Sequence, residues 1–578
     1  MIFDPANGLI LLVAAALGWL LLERALLYMT YFQQEEYDTP RFLGWMWRAR
    51  AVDSRTTLAL LTLAAMDGLV FLALKQHPTP FTLALAAVIP ALAAHQERAR
   101  RRGHKKPLAL TQRVRRILGV HAGLMLALVA TAYPLVLQAP TGTRLDLDLS
   151  ALTMAQARYD WRGLALIALM VALIQLTPLM LVVANRALAP LEAHIRAGFR
   201  REAEDRLARL NPTVIGITGS FGKTSTKHIL AHILSSAAPT LATPGSVNTD
   251  MGITRIIREK LTGEHRYFIV EMGAYGPGSI ARLCRLTPPD TGIITAVGPA
   301  HYERFKTLDA VARTKFELAE AVFQSGGRMV VNRSGIPADL LEDRLDQVRG
   351  DYVMVAIGPD EGGAHVTLTD HHMTPDGLNL TLIEKAGTFD TDGATHTLTL
   401  PLFGSHQAGN AAAAIALARS LGMPMAAIKA AIADMPQINH RLAVIRAAGQ
   451  PTIIDDAYNS NPVGFEQALT VLDFLAHHSG GRRILITPGM VELGARHDED
   501  HARLGHFAAG KVDLALVVTP QRIPSFVDAL KAASGGATVL TFDRQQEAES
   551  WAANQWRPED VVLFENNLPD LFESRLSL

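Results

Sequence analysis

Cysteine is almost missing from this chain, with Cys284 alone among 578 residues. A single thiol excludes an internal disulfide framework, and Cys284 reads as a small apolar core residue in a reducing compartment. Net charge is missing too. Lys plus Arg and Asp plus Glu both total 55, so the whole-chain balance points neither to nucleic acid nor to an acidic partner. A third absence is at the front, where Met1 to Asn7 contains no Lys or Arg. Without a basic start, and with more apolar stretches to follow, the first apolar segment reads as a retained anchor rather than a cleaved signal.

What is present divides into a hydrophobic first third and a mixed remainder. The length alone predicts three to four domains. Five apolar stretches approach the roughly 20 residues that a spanning helix needs, at about 8–31, 57–74, 79–95, 117–138 and 163–185. The connection 96–116 carries Arg98, Arg100, Arg101, Arg102, Lys105, Lys106, Arg113, Arg115 and Arg116. The connection 138–161 has only Arg144 and Arg158 among its Lys and Arg residues. The positive-inside rule then gives five spans in a cytoplasmic (inner) membrane, an outside N-terminus and cytoplasmic domains after them. Glu23, Arg24 and Asp67 fall inside these stretches, where an ionisable group is either functional or partnered structurally. Residues 191–211 read as a charged juxtamembrane helix ending at Asn211-Pro212.

Behind the linker, the β-rich run Thr213-Val214-Ile215-Gly216-Ile217-Thr218 leads into Gly219-Ser220-Phe221-Gly222-Lys223-Thr224-Ser225 and then a helical pattern. A glycine loop at a strand-to-helix turn is the context of a phosphate loop. Backbone N–H groups from Gly219, Ser220, Gly222 and Ser225 would cradle phosphates, Lys223 would neutralise the β- and γ-phosphates, and the Thr224 hydroxyl would bind Mg²⁺. The expected cofactors are therefore ATP and Mg²⁺. The loop is a short T-G-x-x-G-K-T form, because Ile217 stands where the longer G-x-x-x-x-G-K-[ST] pattern has its first glycine.

This short loop resembles that of the Mur ligase family, ATP-dependent amide ligases of peptidoglycan and related polymers. Further segments resemble the family in order: Gly245-Ser246-Val247-Asn248-Thr249-Asp250-Met251-Gly252, Phe268-Ile269-Val270-Glu271-Met272-Gly273-Ala274, Gly298-Pro299-Ala300-His301-Tyr302-Glu303-Arg304-Phe305, and Ala312-Arg313-Thr314-Lys315-Phe316-Glu317. The match is closest to the branch that adds D-alanyl-D-alanine. The resemblance implies that Asn248 lies near the phosphates, that Glu271 and His301 join Thr224 in holding Mg²⁺, and that Lys315 becomes a CO₂-derived carbamate helping to place a second ion. An unmodified Lys315 touching phosphate is the plain alternative. His406 and Asn410, in Leu400-Pro401-Leu402-Phe403-Gly404-Ser405-His406-Gln407-Ala408-Gly409-Asn410, match the family's adenine-binding segment. Arg441 and Asp456 match its phosphate-contacting arginine and a nucleotide contact across a domain cleft. Lys223, His301 and Lys315 are the implied catalytic set.

The implied architecture is an α-helical transmembrane domain (1–190), the linker (191–211), an α/β P-loop ATPase domain (212–438) and a C-terminal Rossmann-like α/β domain (439–578). Apolar runs at 483–487, 514–519, 538–542 and 561–564 suit the last of these. The chain also departs from the family. Pro488-Gly489 replaces a usual Gly-Asp, Phe564-Glu565-Asn566-Asn567 stands in place of Lys-Gly-Ser-Arg, and the predicted spans occupy the position of a domain that binds uridine diphosphate. The expected function is a membrane-anchored amide ligase that activates a carboxylate as an acyl phosphate. Its acceptor would be lipid-linked or delivered at the membrane face, and its amine an amino acid or short peptide. A ligase for a secreted polyamide such as polyglutamate, and an anchored ATPase without ligation, remain the alternatives.

Overall fold

The computed structural model describes residues 5–48, 51–74, 79–102, 107–144, 158–298, 305, 307–358, 363–389, 392–458, 461–491, 493–533 and 536–567. By contact density the chain forms two units that divide between Ile195 and Arg196, within one helix.

The first unit holds α1 (Pro5–Gln34), α2 (Thr39–Arg48), α3 (Arg55–Leu74), α4 (Thr79–Arg102), α5 (Gln112–Leu137), α6 (Arg162–Ala187) and the start of α7 (Ala189–Leu210), with a small antiparallel pair β1 (Thr141–Arg144) and β2 (Arg158–Asp160). Helices occupy all five stretches expected to span. Among the described residues, three helices are long and apolar enough to cross a bilayer: Gly8–Gln34, Gln112–Leu137 and Arg162–Ala187. The ionisable groups inside them are partnered. Arg24 is 1 % exposed and pairs with Asp53 at 2.7 Å and with Glu97; Glu23 reaches Arg101 at 2.9 Å. Asp67 accepts from the Thr82 hydroxyl at 2.9 Å. Buried charges persist only when paired in this way, which supports the structural reading for Glu23 and Arg24; Asp67 is half-buried.

The second unit contains two α/β sheets. The first is nine-stranded, in the order β11-β10-β9-β8-β7-β6-β3-β5-β4. Its strands are β3 (Thr213–Thr218), β4 (Thr240–Ala242), β5 (Tyr267–Glu271), β6 (Thr291–Ile294), β7 (Arg328–Asn332), β8 (Asp351–Ile357), β9 (Val366–Thr374), β10 (Gly377–Glu384) and β11 (Ala394–Leu400). Pairing is parallel from β4 to β9 and antiparallel beyond. The central strands are continuous apolar runs because both faces are covered. One face packs α8 (Lys223–Ser235) and the helix His406–Ser420; the other packs α9 (Asp250–Glu259), α10 (Ser279–Leu286) and the helix Leu308–Gln324. In His406–Ser420 every residue from Gln407 to Ala418 is buried. Its alanines let the backbone approach the sheet closely, so this helix is core.

The second sheet has the order β12-β13-β17-β14-β15-β16. These are Ala443–Ile445, Thr452–Asp456, Val561–Glu565, Arg483–Thr487, Leu514–Val518 and Thr538–Phe542 respectively. All neighbours are parallel except β12 with β13. The four apolar runs read from the sequence are its β14, β15, β16 and β17, each within a residue of the expected ends.

Candidate active site

Strand order places the chemistry. β3 lies between β5 and β6, so the chain leaves β3 to one side and returns to the other, opening a crevice at the C-terminal ends of the strands. The glycine loop follows β3, Glu271 ends β5 and Thr295 follows β6. The loop is tied down from the β6 side: Ser220 N donates to Ala296 O at 2.8 Å, the Ser220 hydroxyl donates to Gly298 O at 3.0 Å, and Thr295 Oγ1 donates to Phe221 O. Gly222 has φ +80°, and a Cβ there would run into the amide oxygen of Asn410. Only glycine fits that turn without strain. Helix α8 starts at the next residue, with its first N–H groups free for anionic oxygens.

Lys223 folds back on the loop, donating to Gly219 O at 2.7 Å and Ser220 O at 3.3 Å. Burial, with Arg441 and Lys227 nearby, holds its ammonium below the ordinary lysine range despite the opposing pull of Glu271. Glu271 is 1 % exposed and carries three donors. Its Oε2 accepts from the Thr224 hydroxyl at 3.0 Å and from Lys227 Nζ at 2.9 Å, and its Oε1 accepts from Asn248 Nδ2 at 3.0 Å. Burial raises the Glu271 carboxyl, but the Lys227 and Lys223 charges outweigh it and the net shift is downward, so the group is an anion at neutral pH.

Lys227 was not among the residues read as functional, and it is fully buried. Its Nζ also donates to Gly245 O, joining α8, the asparagine loop and β5. One signal was available: Thr224 and Lys227 are three apart on one helix and share a face. Tyr275 was missed as well. Its hydroxyl donates to Asn248 Oδ1 at 2.7 Å and so orients the amide that holds Glu271.

Lys315 lies on the helix Leu308–Gln324 and borders a recess of about 30 Å³ with Lys223, Asn248, Tyr275 and Phe305. It is 3 % exposed, and no hydrogen bond joins its amine to another described residue. Burial, then the Lys223 charge, pushes its pKa well below the usual lysine value. His301 lies outside the described residues.

The larger cleft, about 320 Å³, is lined by the loop, Asn248, Glu271, Tyr275, His406, Gln407, Arg441, Asp456, Tyr458 and Asn461. Arg441 stacks 4.9 Å from the Tyr458 ring centre. Burial lifts the Asp456 carboxyl to about 6 against the opposing Arg441 charge. The structure therefore gathers Ser220, Gly222, Lys223, Thr224, Ser225, Asn248, Glu271, His406, Arg441 and Asp456 around one cleft. Gly219 and Lys315 are in the adjoining recess. Asn410 is different: it lies behind the loop, 6 % exposed, accepting from Thr226 Oγ1 at 3.3 Å and donating to Gln407 Oε1 at 3.0 Å. It braces α8 rather than lining the cleft.

Among the described residues, no three His, Cys, Asp or Glu side chains gather as a ready metal site. The residues still fit Mg²⁺ in the manner of phosphate-loop proteins, because Thr224 and Glu271 stand side by side and phosphate oxygens and water complete a hard-oxygen shell.

Two family descriptions match the second unit: the Mur ligase middle domain over residues 217–418 and the Mur ligase glutamate ligase domain over residues 440–565. The UDP-N-acetylmuramoyl-tripeptide–D-alanyl-D-alanine ligase of Escherichia coli is 33 % identical over 309 residues, covering 53 % of this chain and 65 % of that protein. The like-named ligase of Synechocystis is 32 % identical over 374 residues, covering 64 % of this chain and 74 % of its own. The crystal structure of MurF from Acinetobacter baumannii has a TM-score of 0.54 at 27 % identity, over 66 % of this chain and 81 % of that one. MurF from Thermotoga maritima, solved in complex with ADP, has a TM-score of 0.54 at 26 % identity, with 66 % and 82 % covered. The chain thus spans about two thirds or less of several curated relatives, and what it shares with them is the pair of domains that form the cleft. On these matches and the fold that carries them, the chain belongs to the Mur ligase family.

Proposed function

We propose that this protein is an ATP-dependent amide ligase that joins a carboxylate acceptor of the muramyl-peptide type to an amino acid or short peptide amine. The observation that carries this reading is the convergence of Lys223, Glu271 and Arg441 on one cleft, with Lys315 in the adjoining recess. A site that activates a carboxylate with ATP must bring two anions together in line, which requires dense positive charge and fixed oxygen ligands. The acceptor carboxylate attacks the γ-phosphorus, the bond to the β-phosphate oxygen breaks, and ADP leaves. The amine then attacks the acyl carbon, loses a proton and expels phosphate. Lys223 and Arg441 screen the phosphates, and the same cations stabilise the oxyanion of the tetrahedral intermediate. Mg²⁺ at Thr224 and Glu271 would supply further charge to the phosphate oxygens. His301 belongs to this proposal by its place in the sequence.

Lys315 fits the carbamate expectation chemically. Its depressed pKa favours the neutral amine, which adds CO₂ with loss of one proton to give a carbamate anion. His406 and Asp456 line the cleft where adenosine would be held, with Asn410 acting through the loop. Because Asp456 ends a strand of the second sheet and Arg441 lies just before its first strand, productive binding would involve closure of one domain on the other.

We further propose that the three apolar helices anchor the protein in the cytoplasmic membrane, with the acceptor lipid-linked or delivered at the inner face. The relatives' names make D-alanyl-D-alanine the first amine to test. The deciding experiment supplies membrane extract, ATP, Mg²⁺ and a pool of amino acids and dipeptides, and identifies the products by mass spectrometry. A new amide formed with equal ADP and phosphate supports the proposal. ATP turnover that ignores every amine and acceptor would overturn it in favour of an ATPase, and equal rates on a soluble UDP-muramyl peptide would remove the lipid-linked acceptor.

A further inference from the structure

We propose that α2 is an interfacial helix that docks on the anionic headgroups of the cytoplasmic membrane leaflet. This rests on the membrane reading above, and it goes beyond the spans to a segment that is too short to cross.

Helix α2 has ten residues, Thr39-Pro40-Arg41-Phe42-Leu43-Gly44-Trp45-Met46-Trp47-Arg48, and its two faces differ sharply. Phe42 and Trp45 are buried, at 0 % and 5 % exposure. They join an aromatic cluster: Trp45 stacks on Tyr31 with ring centres 4.4 Å apart, and Phe42 lies 4.6 Å from Phe32. The same core contains Val114 and Ile117 from the start of α5 and Leu181, Val182 and Ala184 from the end of α6. Thus α2 is pinned to one end of the three helices that are apolar enough to span, and that end follows the last turns of α1. Its register is set by rings whose burial contributes well over a single aliphatic contact.

The opposite face is apolar where water would be expected. Trp47 is 87 % exposed and Leu43 is 37 % exposed; they are four apart and share a helix face, and Val52 just beyond is 57 % exposed. Exposed cations stand on this helix and on the helix ends that share its core: Arg48 on α2, Arg115 at the start of α5 and Arg186 at the end of α6. A surface that presents tryptophan and leucine beside arginines suits one environment, the boundary between acyl chains and phosphates. The helices that α2 packs against carry exposed apolar side chains of their own, with Leu12 at 58 %, Leu126 at 69 % and Leu179 at 42 % exposure. An anionic leaflet is favoured over a protein partner because the cations belong to three helix ends that pack into one core, and clustered Lys and Arg charge is drawn to an anionic lipid surface.

The test uses the full chain with one introduced thiol. Cys284 is buried, and burial pushes its thiol up to about 12, so a labelling reagent meets only the new cysteine. Trp47→Cys, Leu12→Cys and Ala448→Cys, the last at an exposed turn of the second unit, are each labelled with an environment-sensitive fluorophore. They are then reconstituted in phosphatidylcholine vesicles with or without phosphatidylglycerol, plus brominated lipid as quencher. The expected result is a blue shift and quenching at 47 that increase with phosphatidylglycerol, stronger quenching at 12 and none at 448. A label at 47 that behaves like that at 448 while 12 is quenched overturns the docking of α2 and leaves the membrane reading intact. Labels at both 12 and 47 that stay in water overturn the membrane reading itself. Replacing Arg48, Arg115 and Arg186 by Gln should abolish the phosphatidylglycerol dependence at 47; its persistence would overturn the headgroup contact.

Discussion

Nζ of Lys227 lies 2.9 Å from Oε2 of Glu271, and the Thr224 hydroxyl donates to that same oxygen at 3.0 Å. The Glu271 carboxylate is therefore held by an internal lysine as well as by the phosphate-loop threonine. Removing one member of so buried a pair leaves the other charge uncompensated, at a cost of about 3–5 kcal/mol. Lys227→Met should lower the melting temperature markedly, Glu271→Gln should do the same, and the double variant should recover much of the loss. Thermal unfolding of the three proteins measures the coupling; strictly additive losses would show that the pair is not coupled.

Glycine is required at 222 for two reasons, a left-handed φ and the proximity of Asn410. Gly222→Ala should weaken ATP binding at least tenfold, with strain of about 1–2 kcal/mol at the turn. Asn410→Ala, which removes the colliding amide and also its brace on Thr226, should not restore the affinity of the double variant. Calorimetric titration with a non-hydrolysable ATP analogue gives both values.

Lys223 folds back on the loop proposed to hold the phosphates, donating to Gly219 O at 2.7 Å. Lys223→Ala should reduce ligation by about 10²–10³-fold, the range for losing one preorganised transition-state donor. Unchanged turnover would exclude Lys223 from the chemistry.

For Lys315, a labelled-carbonate experiment separates the two forms. With ¹³C-bicarbonate, the native protein should show a carbamate carbon resonance that Lys315→Ala lacks. Activity should rise when bicarbonate is restored to CO₂-depleted enzyme. If neither occurs, Lys315 acts as an unmodified amine.

Asp456 supplies a pH prediction. Its carboxyl is raised from the ordinary value to about 6 by burial. Below the unfolded value both states are protonated and no stability is lost. Between about pH 4 and 6 the unfolded chain gives up its proton first, so the fold is progressively penalised as pH rises, and the penalty is complete above 6. The melting temperature of the native protein should fall across that window relative to Asp456→Asn. Parallel curves for the two proteins would contradict the assignment.

Much of the site was legible because its parts are local. A β-branched run, two glycines, Lys223-Thr224 and a helical pattern specify a strand, a turn and a helix N-terminus within a dozen residues, and each property is intrinsic to those side chains. The strands of the second sheet were legible for the same reason. Lys227 and Tyr275 were not, since nothing near them in sequence announces a partner; Glu271 is 44 residues from Lys227 and meets it only because β5 lies beside β3. Asn410 matched a nucleotide-binding segment, yet helix packing turns its amide to the back of the loop. The antiparallel extension β9 to β11 was also unread, because its alternation of Thr, His and Leu lacks the long apolar runs of buried parallel strands.

By itself the sequence determined the kind of chemistry: a phosphate loop, a set of cations and carboxylates in family order, and apolar segments long enough to span a bilayer. The first and last follow from residue type and short-range spacing, and the second from the family resemblance of the motifs. Only the tertiary structure decided which charges face one another, which side of α2 is left apolar and exposed, and that Arg441 and Asp456 share a cleft with Lys223. Such relations depend on the order of strands in the sheets and on helix packing, through which residues hundreds of positions apart come within a few ångströms.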